Sequence, residues 1–240
     1  MENCIVSEIS KEELLSKLDP KWNELIGNVE AKTYWNDIVE RINKSISTGH
    51  LVMPSLNKVF APLNTIDFSK FKVLLIGQDP YPGVGVADGY AFSLRKGDRI
   101  QDSLEIIFKE IDNEYGSKLT QTHQYNGNLL PWAKQGVLLL NSSLTIGNSR
   151  DNHRSCGWRK FIDEIISYLD NNYKFVTLAF GVEAKKATEK IVNNSNLVLG
   201  TGHPSPLNTR TPFLGCGVFT KCNELLIDNC LLPINWILPK

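Results

Sequence analysis

Short, wholly apolar runs alternate along this chain with longer segments whose apolar residues recur at helical spacing. The runs are Val73-Leu74-Leu75-Ile76 and residues 137–140, 175–179 and 197–199. Each is too short for a helix and is bounded by turn residues, so each predicts a strand buried on both faces. Between them, Ser103 is placed to cap a segment carrying Leu104, Ile107, Phe108 and Ile111, which Gly116 ends. A second segment carries Phe161, Ile162, Ile165, Ile166 and Leu169, and a third spans about 183–193. Strand, helix, strand in this order predicts parallel strands with helices on both faces.

Residues 1–50 read as a helical lead-in. Ser10-Lys11-Glu12-Glu13 has the capping-box pattern, and Asp19-Pro20 reads as an N-cap followed by proline at the first helical position. Thr33 opens a longer helix with Trp35, Ile38, Val39, Ile42 and Ile46 on one face, stopped by Gly49. No repeat, low-complexity tract or linker interrupts the chain. The expected fold class is α/β: a single-domain α/β/α sandwich over residues 1–240, with a central four-stranded parallel twisted sheet and N-terminal helices.

Each strand empties into a polar segment marked by Gly, Pro or Asn. These are Gly77–Pro82, Asn141-Ser142-Ser143, Gly181-Val182 and Gly202–Leu207. Parallel strands bring all four to one edge of the sheet, where open α/β sheets bind their ligands. The sharpest is Gly77-Gln78-Asp79-Pro80-Tyr81-Pro82. Gly77 is expected to supply an unusual backbone angle, and the prolines fix φ. An amide, a carboxylate and an aromatic ring on one stiff frame suit a flat polar ligand.

Taken singly, each side chain has an ordinary reading. Asp79 before proline is a turn former, Asn141 a strand terminator and His203 a structural histidine, while Tyr81 and Phe92 are core. Each also has a chemical reading. Asp79 can hold water or face a cation, and the Asn141 amide complements a pyrimidine imide edge. A neutral His203 can donate to a developing oxyanion.

Composition narrows the class without naming it. Hydrophobic residues make up 42% and charged residues 22%, as in ordinary soluble enzymes. Twenty-six basic residues balance 26 acidic ones, so bulk charge announces no nucleic-acid partner, although local phosphate contacts need none. Nothing resembles a membrane span of about 20 apolar residues. Met1-Glu2-Asn3-Cys4 lacks a secretory leader's basic and apolar regions, so the expected location is intracellular: cytoplasm, or a host compartment or nucleus for a viral or eukaryotic source. Cysteines 4, 156, 216, 222 and 230 form no Cys-x-x-Cys pair and predict free thiols. No metal or other cofactor is expected.

Several words in one order carry a resemblance. They are Gly77-Gln78-Asp79-Pro80-Tyr81, Gly89-Tyr90-Ala91-Phe92-Ser93, Ser103-Leu104, Trp132 through Asn141, and His203-Pro204-Ser205-Pro206-Leu207. Gly215 with Phe219, Asn223-Glu224-Leu225-Leu226 and Pro233-Ile234-Asn235-Trp236 complete the set. From about Pro54 to Pro239 the chain resembles family 1 uracil-DNA glycosylases. The resemblance implies a monofunctional enzyme that flips uracil from DNA and hydrolyses its glycosidic bond, starting base excision repair. It implies that Asp79 positions water and stabilises the sugar cation, and that His203 stabilises charge on uracil O2. Asn141 and Gln78 would contact uracil, Phe92 would stack on it, and Tyr81 would exclude a 5-methyl group. Ser103 and Ser205 would grip phosphates, and Leu207 would wedge into the stack. The implied partners are uracil-containing DNA, single- or double-stranded, with DNA-mimicking inhibitor proteins and replication proteins as further candidates. A monomer without membrane attachment is expected.

The chain departs from the family pattern mainly where DNA is gripped. Pro82 stands where many members have histidine, and Val182 where many have a phosphate-contacting serine. Arg99-Ile100-Gln101-Asp102 is not proline-rich, and Asn208-Thr209-Arg210-Thr211 lacks an aromatic residue; Arg210 could supply a compensating phosphate contact. Three other readings compete. A DNA-binding scaffold would not need both Asp79 and His203. A serine hydrolase built on Ser142 or Ser205 lacks the Gly-x-Ser-x-Gly elbow. A nucleotide-binding module lacks both a P-loop and a Gly-x-Gly-x-x-Gly turn.

Overall fold

The computed structural model describes residues 4–206, 208 and 212–239. Three helices lead in: α1 (Lys11–Leu15), α2 (Lys21–Ile26) and α3 (Tyr34–Ser47). Strand β1 (Val52–Met53), α4 (Ala61–Asn64) and β2 (Val73–Gly77) follow. Next come α5 (Asp102–Tyr115), α6 (Leu119–Thr122), α7 (Leu130–Ala133), β3 (Val137–Asn141) and β4 (Ile146–Gly147). The chain continues through α8 (Trp158–Asn172), β5 (Val176–Phe180), α9 (Val182–Ala187), β6 (Val198–Thr201) and α10 (Val218–Asp228).

The four apolar runs form the expected parallel sheet, ordered β3-β2-β5-β6. Alternation along β2 divides the core. Leu74 and Ile76 pack with Trp35, Ile38, Ile42, Trp158 and Phe161 on one face. Val73 and Leu75 pack with Leu104, Ile107, Phe108, Trp132 and Phe219 on the other. Successive side chains of a strand point to opposite faces, so a run apolar at every position must be covered twice. At roughly 1.5–3 kcal/mol for each large side chain buried, the two layers supply most of the drive to fold.

Register sets the working edge. Gly77 pairs with Asn141, Ile76 with Ala179, and Phe180 with Thr201. The ends of β3, β2, β5 and β6 are therefore nearly level, and the polar segments leave from one side.

Local details differ from the sequence reading. Gln101, not Ser103, is the N-cap of α5: its extended backbone precedes the helix, and its carbonyl accepts from Glu105 N at 3.0 Å. Ser103 instead lies within the first turn. Gly77 does not adopt a left-handed φ, contrary to the angle expected of it. A second, two-stranded sheet pairs β1 with β4 antiparallel, and Ile5 bridges to Val52. Helix α2 begins one residue later than expected, at Lys21 with Pro20 as its N-cap, although Asp19 Oδ1 still accepts from Lys21 N at 3.0 Å; Ser10 Oγ accepts from Glu13 N at 3.0 Å. Among the described residues, no helix is long and apolar enough to cross a membrane.

Candidate active site

The ladder between β2 and β3 continues past both strands. Ser142 N donates to Gly77 O at 3.0 Å, Ser143 N to Gln78 O at 3.0 Å, and Ser142 Oγ to Gln78 O at 2.8 Å. These bonds fix Gln78 and Asn141 side by side. The Ser142 hydroxyl is thus committed to a backbone carbonyl, which disfavours its use as a nucleophile. Asn141 is only 2% exposed, and among the described residues no hydrogen bond engages its side-chain amide. A buried amide without a protein partner is costly and is ready for a ligand that supplies both a donor and an acceptor.

Phe92 faces this amide's neighbourhood from a strained turn. Its φ is +61°, in the left-handed region that costs a residue with a side chain energy. The turn is held by Tyr81 Oη, which donates to Phe92 O at 3.1 Å. Asp88 adds two bonds, accepting from Ser93 Oγ at 2.6 Å and Tyr90 N at 3.2 Å. The Phe92 ring lies 6.1 Å from the His203 ring, centroid to centroid, at an interplanar angle of 50°.

His203 lies two residues beyond β6. A Cβ on Gly181 would sit 2.9 Å from His203 Cβ and 3.2 Å from its Cδ2, so only glycine lets the imidazole pack there. The His203 carbonyl accepts from Ser205 N at 2.8 Å and Asn208 Nδ2 at 3.0 Å, which ties down the following loop. Burial pushes the imidazole's proton affinity down; Asp79 opposes this and Arg154 reinforces it. The ring is therefore held toward its neutral form, in which it can donate from only one nitrogen.

Asp79 is in an ion pair. Arg154 reaches Asp79 Oδ2 with Nε at 2.8 Å and Nη2 at 2.5 Å. Gln78 Nε2 approaches the same carboxylate at 3.3 and 3.4 Å. Arg154 leaves a loop anchored next door by His153, whose ring bonds Thr145 Oγ1 and Ser45 Oγ, each at 2.9 Å. Trp158 Nε1 donates to Thr145 Oγ1 at 2.7 Å, while Arg41 and Ser45 both bond Asp151. Burial, and secondarily Arg41, pushes His153 down to about 4.

Residues 64–227 match the model of the Uracil DNA glycosylase superfamily. A uracil-DNA glycosylase of Campylobacter curvus (strain 525.92) is 39% identical over 222 residues, covering 92% of this chain and 94% of its own.

The chain belongs to the uracil DNA glycosylase superfamily.

A second superfamily relative, the uracil-DNA glycosylase of Aliivibrio salmonicida (strain LFI1238), is 36% identical over 221 residues, with 91% of this chain and 97% of its own covered. Among solved structures, the mimivirus uracil-DNA glycosylase matches with a TM-score of 0.79 at 25% identity, over 96% of this chain and 90% of that one. A mimivirus UNG variant in complex with UGI matches with a TM-score of 0.80 at 25% identity, over 96% and 92%.

Within this superfamily fold, Gln78, Asp79, Tyr81, Phe92, Asn141 and His203 all come from the strand ends or the 88–93 turn. Ser205 follows directly, half-buried, and Ser103 lies at the start of α5, next to Asp102, whose charge acts on Tyr81. Leu207 and Arg210 lie outside the described residues. Val182 opens α9 and is exposed. Sequence reasoning missed Arg154 and a pair of carboxylates on α5, and it placed Gly181 at the working edge without its close approach to His203. Glu110, fully buried, accepts from Gly215 N at 2.6 Å and Gly217 N at 2.7 Å. Glu114 accepts from Phe219 N at 3.3 Å and Thr220 N at 2.5 Å. Together they tie the start of α10 and the segment before it to α5.

Proposed function

We propose that this sheet edge releases uracil from DNA, with the base read by Asn141 and the separating charges met by Asp79 and His203. The observation that carries the reading is the buried amide of Asn141, register-locked opposite Gly77 and near Phe92, whose ring lies 6.1 Å from that of His203, held toward its neutral form.

A base inside a duplex is out of reach, so it must turn out into the site at a cost of a few kcal/mol. There the Asn141 oxygen accepts from uracil N3–H, and its amino group donates to O4. Gln78 adds a contact and Phe92 stacks on the ring. Tyr81, fixed through its bond to Phe92 O, fills the space a 5-methyl group would need.

The bond between C1′ and N1 then breaks, and its electron pair leaves with uracil. Positive charge develops on the sugar, where the Asp79 carboxylate faces it. Negative charge develops on the base, where neutral His203 donates to O2. Such preorganised electrostatic groups are worth about a hundredfold or more each in rate. A water oxygen bonds to C1′ and gives up a proton, and the departing base takes one up. The products are free uracil and an abasic site, the starting point of base excision repair. Ser103 and Ser205 hold flanking phosphates, and Leu207 and Arg210 serve the wedge and grip beyond the described residues. A DNA-mimicking inhibitor of the UGI kind would cover this same edge.

The test is incubation with a uracil-containing oligonucleotide in EDTA, followed by alkali. Strand breaks at the uracil position are expected. Intact strands in both single- and double-stranded substrate would leave a DNA-binding scaffold as the better reading.

A further inference from the structure

The Asp79–Arg154 ion pair sets a conflict. If Asp79 serves the role proposed above, on which this inference rests, its charge must face a sugar cation. A guanidinium on the same carboxylate offsets that charge and repels the same cation. Both Arg154 nitrogens meet one oxygen, Oδ2, while among the described residues Oδ1 is met only by the Gln78 amide.

Three features show that the arm, not its base, is free to change partner. The Arg154 side chain is 40% exposed against 16% for Asp79, so the arm comes in from solvent. Its backbone is held, with Arg154 N donating to Asn152 Oδ1 at 2.7 Å and the adjacent His153 fully buried in hydrogen bonds. Finally, the planar fork that grips a carboxylate grips a phosphate equally well.

We propose that Arg154 is a substrate-released latch. In the free protein it neutralises Asp79. When a DNA strand enters, a backbone phosphate takes the guanidinium, and the carboxylate's charge is uncovered as the sugar arrives. Arg154 thereby adds a phosphate contact to those proposed for Ser103 and Ser205. It acts through Asp79 and the phosphate, not on the reacting atoms.

The test is a double-mutant cycle read by binding. The probe is an oligonucleotide carrying 2′-fluoro-2′-deoxyuridine, which resists cleavage because fluorine disfavours the sugar cation. Binding is measured for the unmodified protein, Asp79→Asn, Arg154→Gln and the double variant, from about 50 to 200 mM salt. Asp79→Asn should bind more tightly, because the arm is no longer held, and most of that gain should vanish in the Arg154→Gln background. Arg154→Gln alone should bind severalfold more weakly, with the logarithmic salt slope shallower by about 0.7 on a single strand, and Arg154→Lys should restore the slope. Its single-turnover rate at saturating uracil DNA should stay within about threefold of native or rise. An Asp79→Asn gain of equal size in both backgrounds overturns the latch. So does a tenfold loss of saturating rate in Arg154→Gln at unchanged affinity, which would make Arg154 a fixed support for Asp79. Failure of the Asp79 assignment reads separately, as native single-turnover cleavage by Asp79→Asn.

Discussion

A Cβ on Gly77 would lie 2.3 Å from Oδ1 of Asn141. The two residues are register partners at the ends of β2 and β3, so the glycine leaves the space in which the amide oxygen proposed to read the base sits. Ala91 Cβ at 3.0 Å and Phe92 Cε2 at 3.4 Å close the other sides. Gly77→Ala should therefore swing the amide out of line while the strand survives. Misplacing a positioning group by about an ångström costs up to a hundredfold, so uracil release should fall at least tenfold. Single-turnover assay beside a thermal melt checks this: native rates in a folded variant would show that the amide tolerates displacement.

Asn141→Asp should exchange base preference. A carboxylate cannot donate to uracil O4, but it can accept from a cytosine amino group. Loss of uracil release with some gain of cytosine release is expected, measured by chromatography of freed bases. Unchanged uracil turnover would remove Asn141 from base reading.

His153 should make stability pH-dependent. Its folded value of about 4 lies below the ordinary histidine value, chiefly through burial. Between these values the unfolded chain binds more protons, so stability rises with pH there and is lost as pH falls toward 4. Burial would raise the Asp151 carboxyl, but bonds from Ser45 and Arg41 outweigh it and hold it low, which adds loss in the same direction at still lower pH. The melting temperature should drop from pH 6.5 to pH 4, and His153→Gln should flatten that slope. An equal slope in the variant would assign the loss elsewhere.

Glu110→Ala should loosen the segment that follows the His203 loop. It removes two charge-assisted bonds, from the N–H groups of the exposed Gly215 and the half-buried Gly217, each worth at most roughly 1.5–3 kcal/mol because water can take the carboxylate's place. A fall of several degrees in melting temperature is expected. Glu110→Gln keeps one acceptor oxygen and should fall between the two. A melting temperature unmoved in Glu110→Ala would mean that water replaces the carboxylate without loss.

The sheet was legible because four runs apolar at every position have no other economical burial, and their parallel order forced the polar segments of residues 77–82, 141–143, 181–182 and 202–206 to one edge. Strands β1 and β4 were not legible, since two residues carry no period. Ser103 was read as a cap because serine is a good one, yet the helix begins earlier, where Gln101 is extended. Gly77 was singled out correctly but for the wrong property: its space matters, not its φ. Arg154 left no trace, because its partner Asp79 is 75 residues away and its loop has no periodicity. Glu110 sits at a polar position on the buried face of α5, an anomaly that pattern reading could have flagged, although nothing in sequence says that its partners are backbone groups.

The central claim is that Asp79 and His203 meet the two charges that separate when the glycosidic bond breaks. Its most direct test is the single-turnover rate of uracil release by Asp79→Asn and by His203→Ala, at DNA concentrations that saturate each variant. Each substitution should slow the step by at least about a hundredfold, the scale for one preorganised electrostatic group, while both variants remain folded and bind DNA. A near-native rate in either variant would contradict the assignment of that residue.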